Sequence, residues 1–153
     1  MSPALRAKFG GRIPDEHFDG LSLVERVEDL PGDAGGFYHP REAVLQVERG
    51  LGDVYYRHEL GHHVWYTMLN QNQRGRLRSG YNMDIWRLQN QGRWNALGRN
   101  QHWISDYAGT DVEEAFSEAY AYWTNPSMRG INRVRRADPA FQEVLQELVP
   151  TRQ

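Results

Sequence analysis

At 153 residues the chain is long enough to bury a hydrophobic core, and its formal net charge of −2 gives no global pull toward nucleic acid or a membrane surface. It has no cysteine, so disulfides and thiolate metal sites are excluded, and any transition metal must be held by His, Asp or Glu. No apolar run approaches the ~20 residues of a membrane span, and the opening MSPALRAKFGGRIPDEH lacks the apolar core of a secretory signal, so nothing directs export.

Residues 1–20 read as a loose N-terminal arm and 21–153 as one domain. In LSLVERV, Leu21, Leu23 and Val27 fall at strand spacing interrupted by Glu25, while Leu23, Val24, Val27 and Leu30 also fit a helix. LPGDAGG, 30–36, is turn chemistry. In AVLQV, Ala43, Leu45 and Val47 alternate with Val44 and Gln46, the pattern of a half-buried strand. GLGD then breaks the chain, and Asp53 is a candidate cap for a helix from Val54 to Leu69.

From Asn70 to Gln101 the chain turns polar, and Ile85, Trp86, Leu88, Trp94 and Leu97 predict short helices there. Another helix starts at Thr110 or Asp111 and ends before Asn125-Pro126, with Val112, Ala115, Phe116, Ala119 and Trp123 at helical spacing. The last helix is capped by Asp138 and carries Pro139 in its first turn; Phe141, Val144, Leu145, Leu148 and Val149 form its core stripe. Weak strands followed by helices predict a small α+β domain.

The chemistry concentrates in RHELGHHVWY, Arg57 to Tyr66. Residues four apart share a helix face, so His58 and His62 can present imidazole nitrogens to one ion. Glu59 is rotated by about 100° and can stand beside the metal as a base for its water without binding it. Gly61 costs about 1 kcal/mol against Ala in a helix, which suggests a close approach at that point. His63 is turned away from the pair and reads as a packing group. The alternative to a metal site is a surface helix with a satisfied His pair.

A catalytic zinc wants three protein ligands and an open position. Downstream candidates are His102, Asp84, Asp106, Asp111, Glu113, Glu114 and Glu118. Within DVEEAFSEAYAYW, Glu114 and Glu118 lie on one flank of the apolar stripe and Glu113 on the other. Glu114 and Glu118 can therefore act as a pair, one on the metal and one behind it receiving a ligand N–H. Two solvated helix-face acids remain the competing reading.

HELGHHV followed by DYAGTDVEEAFSEAYAYW, with Tyr107 ahead of the Glu114/Glu118 ExxxE pair, resembles the lethal-factor-like branch of the zincin metallopeptidases (gluzincins) over Phe37 to Trp123. The resemblance implies a compact zincin-like fold with a small N-terminal sheet, an active-site helix and a helical C-terminal half. In such a family GGFYHPREAVLQV carries an edge strand beside the active-site helix, and a substrate is expected along AVLQV as an added strand. It further implies one Zn2+ per chain on His58, His62 and Glu114, with Glu59 as general base. Tyr107 would offer its hydroxyl to the developing oxyanion or leaving group, and Glu118 would support a ligand from behind. The lead-in IPDEHFDGL is similar to the start of compact metallopeptidase domains of bacterial toxin and phage head-associated polyproteins.

The function this implies is zinc-dependent hydrolysis of peptide bonds in a protein or peptide substrate. The chain would be cytoplasmic or delivered within a larger particle or polyprotein, without membrane contact. The alternative is a non-catalytic, zincin-shaped binding module of a phage or toxin polyprotein. A third reading starts from Arg74, Arg76, Arg78, Arg87, Arg93 and Arg99, which face one acid, Asp84, within 70–101. With Trp86, Trp94 and Trp103 they could steer an acidic peptide or nucleic acid. The favoured account of that segment is a solvated face with its tryptophans in the core, and nucleic acid is not an expected partner.

Overall fold

The computed structural model describes residues 1–26, 36–94, 101–125 and 127–150. The turn assigned to LPGDAGG lies outside them except for Gly36, as do Val27, Leu30, Leu97 and Arg99. The architecture is α+β: a small three-stranded mixed sheet followed by a mostly helical C-terminal part.

The opening residues are not a loose arm. Ser2 caps helix α1 (Pro3–Ala7) by accepting from the Leu5 amide at 3.2 Å, and Pro3 occupies its first turn. Phe9 follows, fully buried, its ring edge-on to Phe18 at 5.0 Å and Tyr56 at 5.3 Å. Burying a phenyl ring stabilises by about 1.5–3 kcal/mol, and it anchors a polar, glycine-flanked segment whose local composition suggested none of this.

Strands β1 (Ser22–Arg26), β2 (Gly36–His39) and β3 (Val44–Glu48) form the sheet in the order β1-β3-β2. β3 alternates as expected, with Leu45 and Val47 buried. It is the central strand, parallel to β1 and antiparallel to β2. AVLQV is therefore hydrogen-bonded on both sides and cannot accept an added strand. The edge beside the histidine helix belongs to β2, whose far side is unpaired among the described residues.

Helix α2 (Asp53–Thr67) carries the histidines. Its cap is Gly52, not Asp53; Asp53 sits in the first turn and pairs with Arg57 at 3.0 Å. Arg57 is almost fully buried, where it also donates to Phe9 O and Ala121 O. It thereby joins the N-terminal segment to two helices with its donors satisfied.

Where short helices were expected around Ile85, Trp86 and Leu88 there is one long helix, α3 (Gln71–Asn90), while the one expected at Trp94 and Leu97 falls largely outside the described residues. A reciprocal capping box starts it: the Asn70 side chain accepts from the Gln73 amide at 2.7 Å, and Gln73 Oε1 accepts from the Asn70 amide at 3.0 Å. Helix α4 (Val112–Trp123) begins at Asp111, which accepts from the Glu114 amide at 2.8 Å. Helix α5 (Met128–Arg136) covers a stretch for which the sequence suggested no element, and it buries only Gly130 and Val134. Helix α6 (Pro139–Leu148) has its expected Asp138 cap and buries Phe141, Val144 and Leu145.

α2 and α4 pack most extensively. A Cβ on Gly61 would lie 2.8 Å from Ser117 Cα, so the two backbones touch where only glycine fits. That contact brings the His58/His62 face of α2 against the first turns of α4. No helix among the described residues is long and apolar enough to cross a membrane.

Candidate metal centre

His58, Glu59 and His62 offer donor atoms that all lie within 4.8 Å of one another, a group that could hold a metal ion. The two Nε2 atoms face each other at 3.3 Å. Glu114 reaches in from α4, Oε2 3.0 Å from His58 Nε2 and Oε1 3.2 Å from His62 Nε2. Glu59 stays farther out, 3.9 Å from His58 Nε2.

The outer nitrogens of both imidazoles are occupied. His58 Nδ1–H donates to Glu118 Oε2 at 2.9 Å, and His62 Nδ1–H donates to Glu113 Oε1 at 3.1 Å. Each carboxylate fixes the tautomer that turns an Nε2 lone pair toward the common point. Glu118 is held in turn by Ser105 Oγ at 2.9 Å, and Glu113 by Tyr66 Oη at 3.3 Å.

These residues fit a zinc ion. Bonds of about 2.0–2.1 Å in a tetrahedral shell set neighbouring donors about 3.3 Å apart, close to the separations of 3.0, 3.2 and 3.3 Å among His58, His62 and Glu114. Glu114 Oε2 is buried with no partner but the His58 imidazole at 3.0 Å, so its charge must be met by a cation at this point, a proton on His58 or a metal. Two imidazoles and a carboxylate are donors of the kind that could hold a transition-metal ion.

The electrostatics describe the same cluster in its metal-free form. Burial pulls the His58 imidazole down, but the carboxylates of Glu114 and Glu118 outweigh it and raise the group to about 9. Burial likewise opposes protonation of His62, and Glu113 and Glu114 lift it to about 10. For Glu114 burial acts upward, while the two imidazoles bring it down to about 2. Without metal, protons supply the positive charge that the carboxylates require.

Glu59 differs from the other acids. Burial pushes its carboxyl above the ordinary range, with the imidazoles offsetting only part of the effect. A Cβ on Gly36 would meet Glu59 Cγ at 2.9 Å, so β2 lies directly against it. Together with Phe37, Tyr38, Tyr66 and Tyr107, Glu59 lines a cleft of about 260 Å³ between β2 and the start of α4.

Tyr107 stands in a 3-10 turn (Tyr107–Gly109) ahead of α4, its ring 5.6 Å from that of His58 and its side chain 54% exposed. Partial burial raises its hydroxyl, and the negative charges of Glu114 and Glu59 add to the shift.

The other candidates lie elsewhere. His102 is buried against Asp84, Nε2–H to Oδ2 at 3.0 Å, and its Nδ1 accepts from the Ile104 amide at 3.1 Å. Both ring nitrogens are used, so His102 has no lone pair left for a metal. Asp84 sits inside α3, fully buried. His63 accepts from Tyr38 Oη at 2.7 Å and donates to Asp19 O at 2.8 Å, a packing group that steadies β2.

The helical wheel set Glu113 on the other flank from Glu114; its side chain nonetheless reaches His62 Nδ1, because α4 packs along α2 there. Ser105 and Tyr66 carried no spacing signal, one lying in a loop and the other at the end of α2.

Four arginines of the polar middle make contacts within the fold. Arg74 donates to Trp65 O, Arg76 pairs with Glu147, Arg78 covers the Trp65 ring and Arg93 the Trp103 ring. Trp86 is 58% exposed, which corrects its expected place in the core. Compared with family models, curated proteins and solved structures, the chain matches none.

Proposed function

We propose that the chain is a zinc-dependent endopeptidase, with His58, His62 and Glu114 as ligands of one Zn2+. The observation that carries this reading is the convergence of three donors at 3.0–3.3 Å beside a carboxylate, Glu59, that is buried, raised and uncommitted. Zinc bound there supplies Lewis acidity, lowering the pKa of water and polarising a carbonyl.

The chain's own groups do the rest. Glu59 takes a proton from the attacking water and delivers it to the departing amine, a role suited to a carboxylate raised by burial. Tyr107 offers its Oη–H to the oxygen on which charge develops. Glu113 and Glu118 hold the imidazoles in register. The substrate backbone pairs with the edge of β2 left unpaired among the described residues, which passes over Glu59, and its side chains enter the cleft between Phe37, Tyr66 and Tyr107.

The test is a quenched-fluorescence peptide library with zinc-loaded wild type and Glu59→Gln. Wild type should cleave, and Glu59→Gln should keep stoichiometric zinc while losing nearly all turnover. Zinc without cleavage in wild type would favour a non-catalytic binding module; turnover retained in Glu59→Gln would overturn the assigned base.

A further inference from the structure

Residues 125–137 contain four arginines and no acid, in a chain of net charge −2. All four lie on α5, which rests on α4 so closely that a Cβ on Gly130 would meet Tyr122 O at 3.0 Å. On the flank facing the end of α4, Arg129 and Arg133 line a cavity of about 270 Å³ with Tyr122, Asn125, Ser127 and Gly130. No carboxylate is among these residues.

The two guanidiniums are placed for an anion. Arg133 lies 5.3 Å over the Tyr122 ring and donates to its Oη at 3.3 Å, which fixes the plane of its fork and leaves its other N–H groups free. Arg129 makes no hydrogen bond or ion pair with any described residue. Like charges one helical turn apart repel. Arg6, Arg57 and Arg76 are matched by Asp15, Asp53 and Glu147, whereas Arg129 and Arg133 share one cavity with no acid in it. The Ser127 hydroxyl makes no capping bond, so it remains a donor at the rim.

We propose that this cavity binds the dianion of a phosphate monoester. A carboxylate, with two oxygens and a single charge, would satisfy one fork. A phosphate carries about −1.5 to −2 charges on three acceptor oxygens, enough for both forks and the serine. The volume is near the lower end of the ligand-pocket range of about 300–1,000 Å³, room for the phosphate and the first atoms of its ester but not for a duplex groove. Tyr122 lies eight residues beyond Glu114 on α4, about 12 Å along the helix. The cavity is thus separate from the metal cluster and does not depend on the peptidase reading.

The experiment is amide NMR on the zinc-loaded full chain, titrated with inorganic phosphate and with phenyl phosphate at constant ionic strength. Amides of Ser127, Arg129 and Gly130 report this cavity, and amides flanking His58 report any phosphate reaching zinc. Saturable shifts at the first set are expected. Arg133→Gln should weaken them about tenfold or more, Arg133→Lys should weaken them less, and Arg135→Gln, outside the cavity, should leave them unchanged. Non-saturating shifts, or equal losses in Arg133→Gln and Arg135→Gln, would reduce the region to diffuse positive charge and overturn the proposal. Tighter, strongly salt-dependent shifts with a short DNA duplex in place of the monoester would also overturn it, in favour of a nucleic-acid face.

Discussion

Glu113 Oε1 lies 3.1 Å from His62 Nδ1, so the first turn of α4 orients an imidazole on α2 from the side away from Glu114. His58 has the corresponding relationship with Glu118. Carboxylates in this position contribute about 10–100-fold to metal affinity. Glu113→Gln and Glu118→Gln should each weaken zinc by that factor without abolishing binding, measured by competition with a chromophoric chelator. Wild-type affinity in both variants would show that the imidazoles need no such support.

Glu114 and His102 should separate cleanly. Glu114→Ala removes a donor and should lose stoichiometric zinc on dialysis. His102→Ala should keep zinc but remove one hydrogen bond from the fully buried Asp84 carboxylate, which retains the Asp138 amide at 3.2 Å, costing about 1–3 kcal/mol of stability. Zinc content and urea midpoints of the two variants check both statements; zinc loss in His102→Ala would contradict the placement of His102 away from the metal.

The metal-free cluster sets a pH dependence. His58 and His62 titrate at about 9 and about 10 in the fold against an ordinary 6.5. Their contribution to stability is fully present below pH 6.5 and is lost as pH rises through 9 to 10. Glu114, brought to about 2 from 4.5, contributes above 4.5 and loses that contribution as pH falls through 2. Zinc must displace the two imidazole protons, so its affinity should climb by up to about a hundredfold per pH unit between 7 and 9. A dissociation constant that stays flat over that interval would show that the histidines are already neutral.

Gly61→Ala improves helix propensity by about 1 kcal/mol, yet its Cβ would press on Ser117 Cα at 2.8 Å. The overpacking should win, with a net loss of about 1–3 kcal/mol and weaker zinc, because moving α4 moves Glu114. A thermal midpoint at or above wild type would mean that the two helices separate without cost.

What could be read from the sequence follows from which interactions are local. The spans of α4 and α6 were legible through Asp111, Asp138 and regular apolar stripes, and His58/His62 through their one-turn spacing. α3 was not, because its buried face includes Gln73, Gly80 and Asp84, which blur the apolar period. α5 is only nine residues long; Ile131 and Val134 do recur at helical spacing between its arginines, but two apolar residues make too short a stripe to stand out. Strand order was hidden for a different reason: the sequence of β3 is the same whether its neighbours are on one side or two. Glu113 was hidden because its contact with His62 depends on how α4 packs against α2, which no single helical wheel contains.

β2 is four residues long, Gly36–His39, and the chain turns away at Pro40, which has no N–H to donate. At about 3.3 Å per residue its edge offers roughly 13 Å of pairing. A folded protein laid there would have to unravel only a stretch of that length to reach Glu59, so a frayed terminus or a single surface loop would suffice. Extending a peptide beyond this reach should leave its KM unchanged, whereas trimming it within the reach should raise KM steeply.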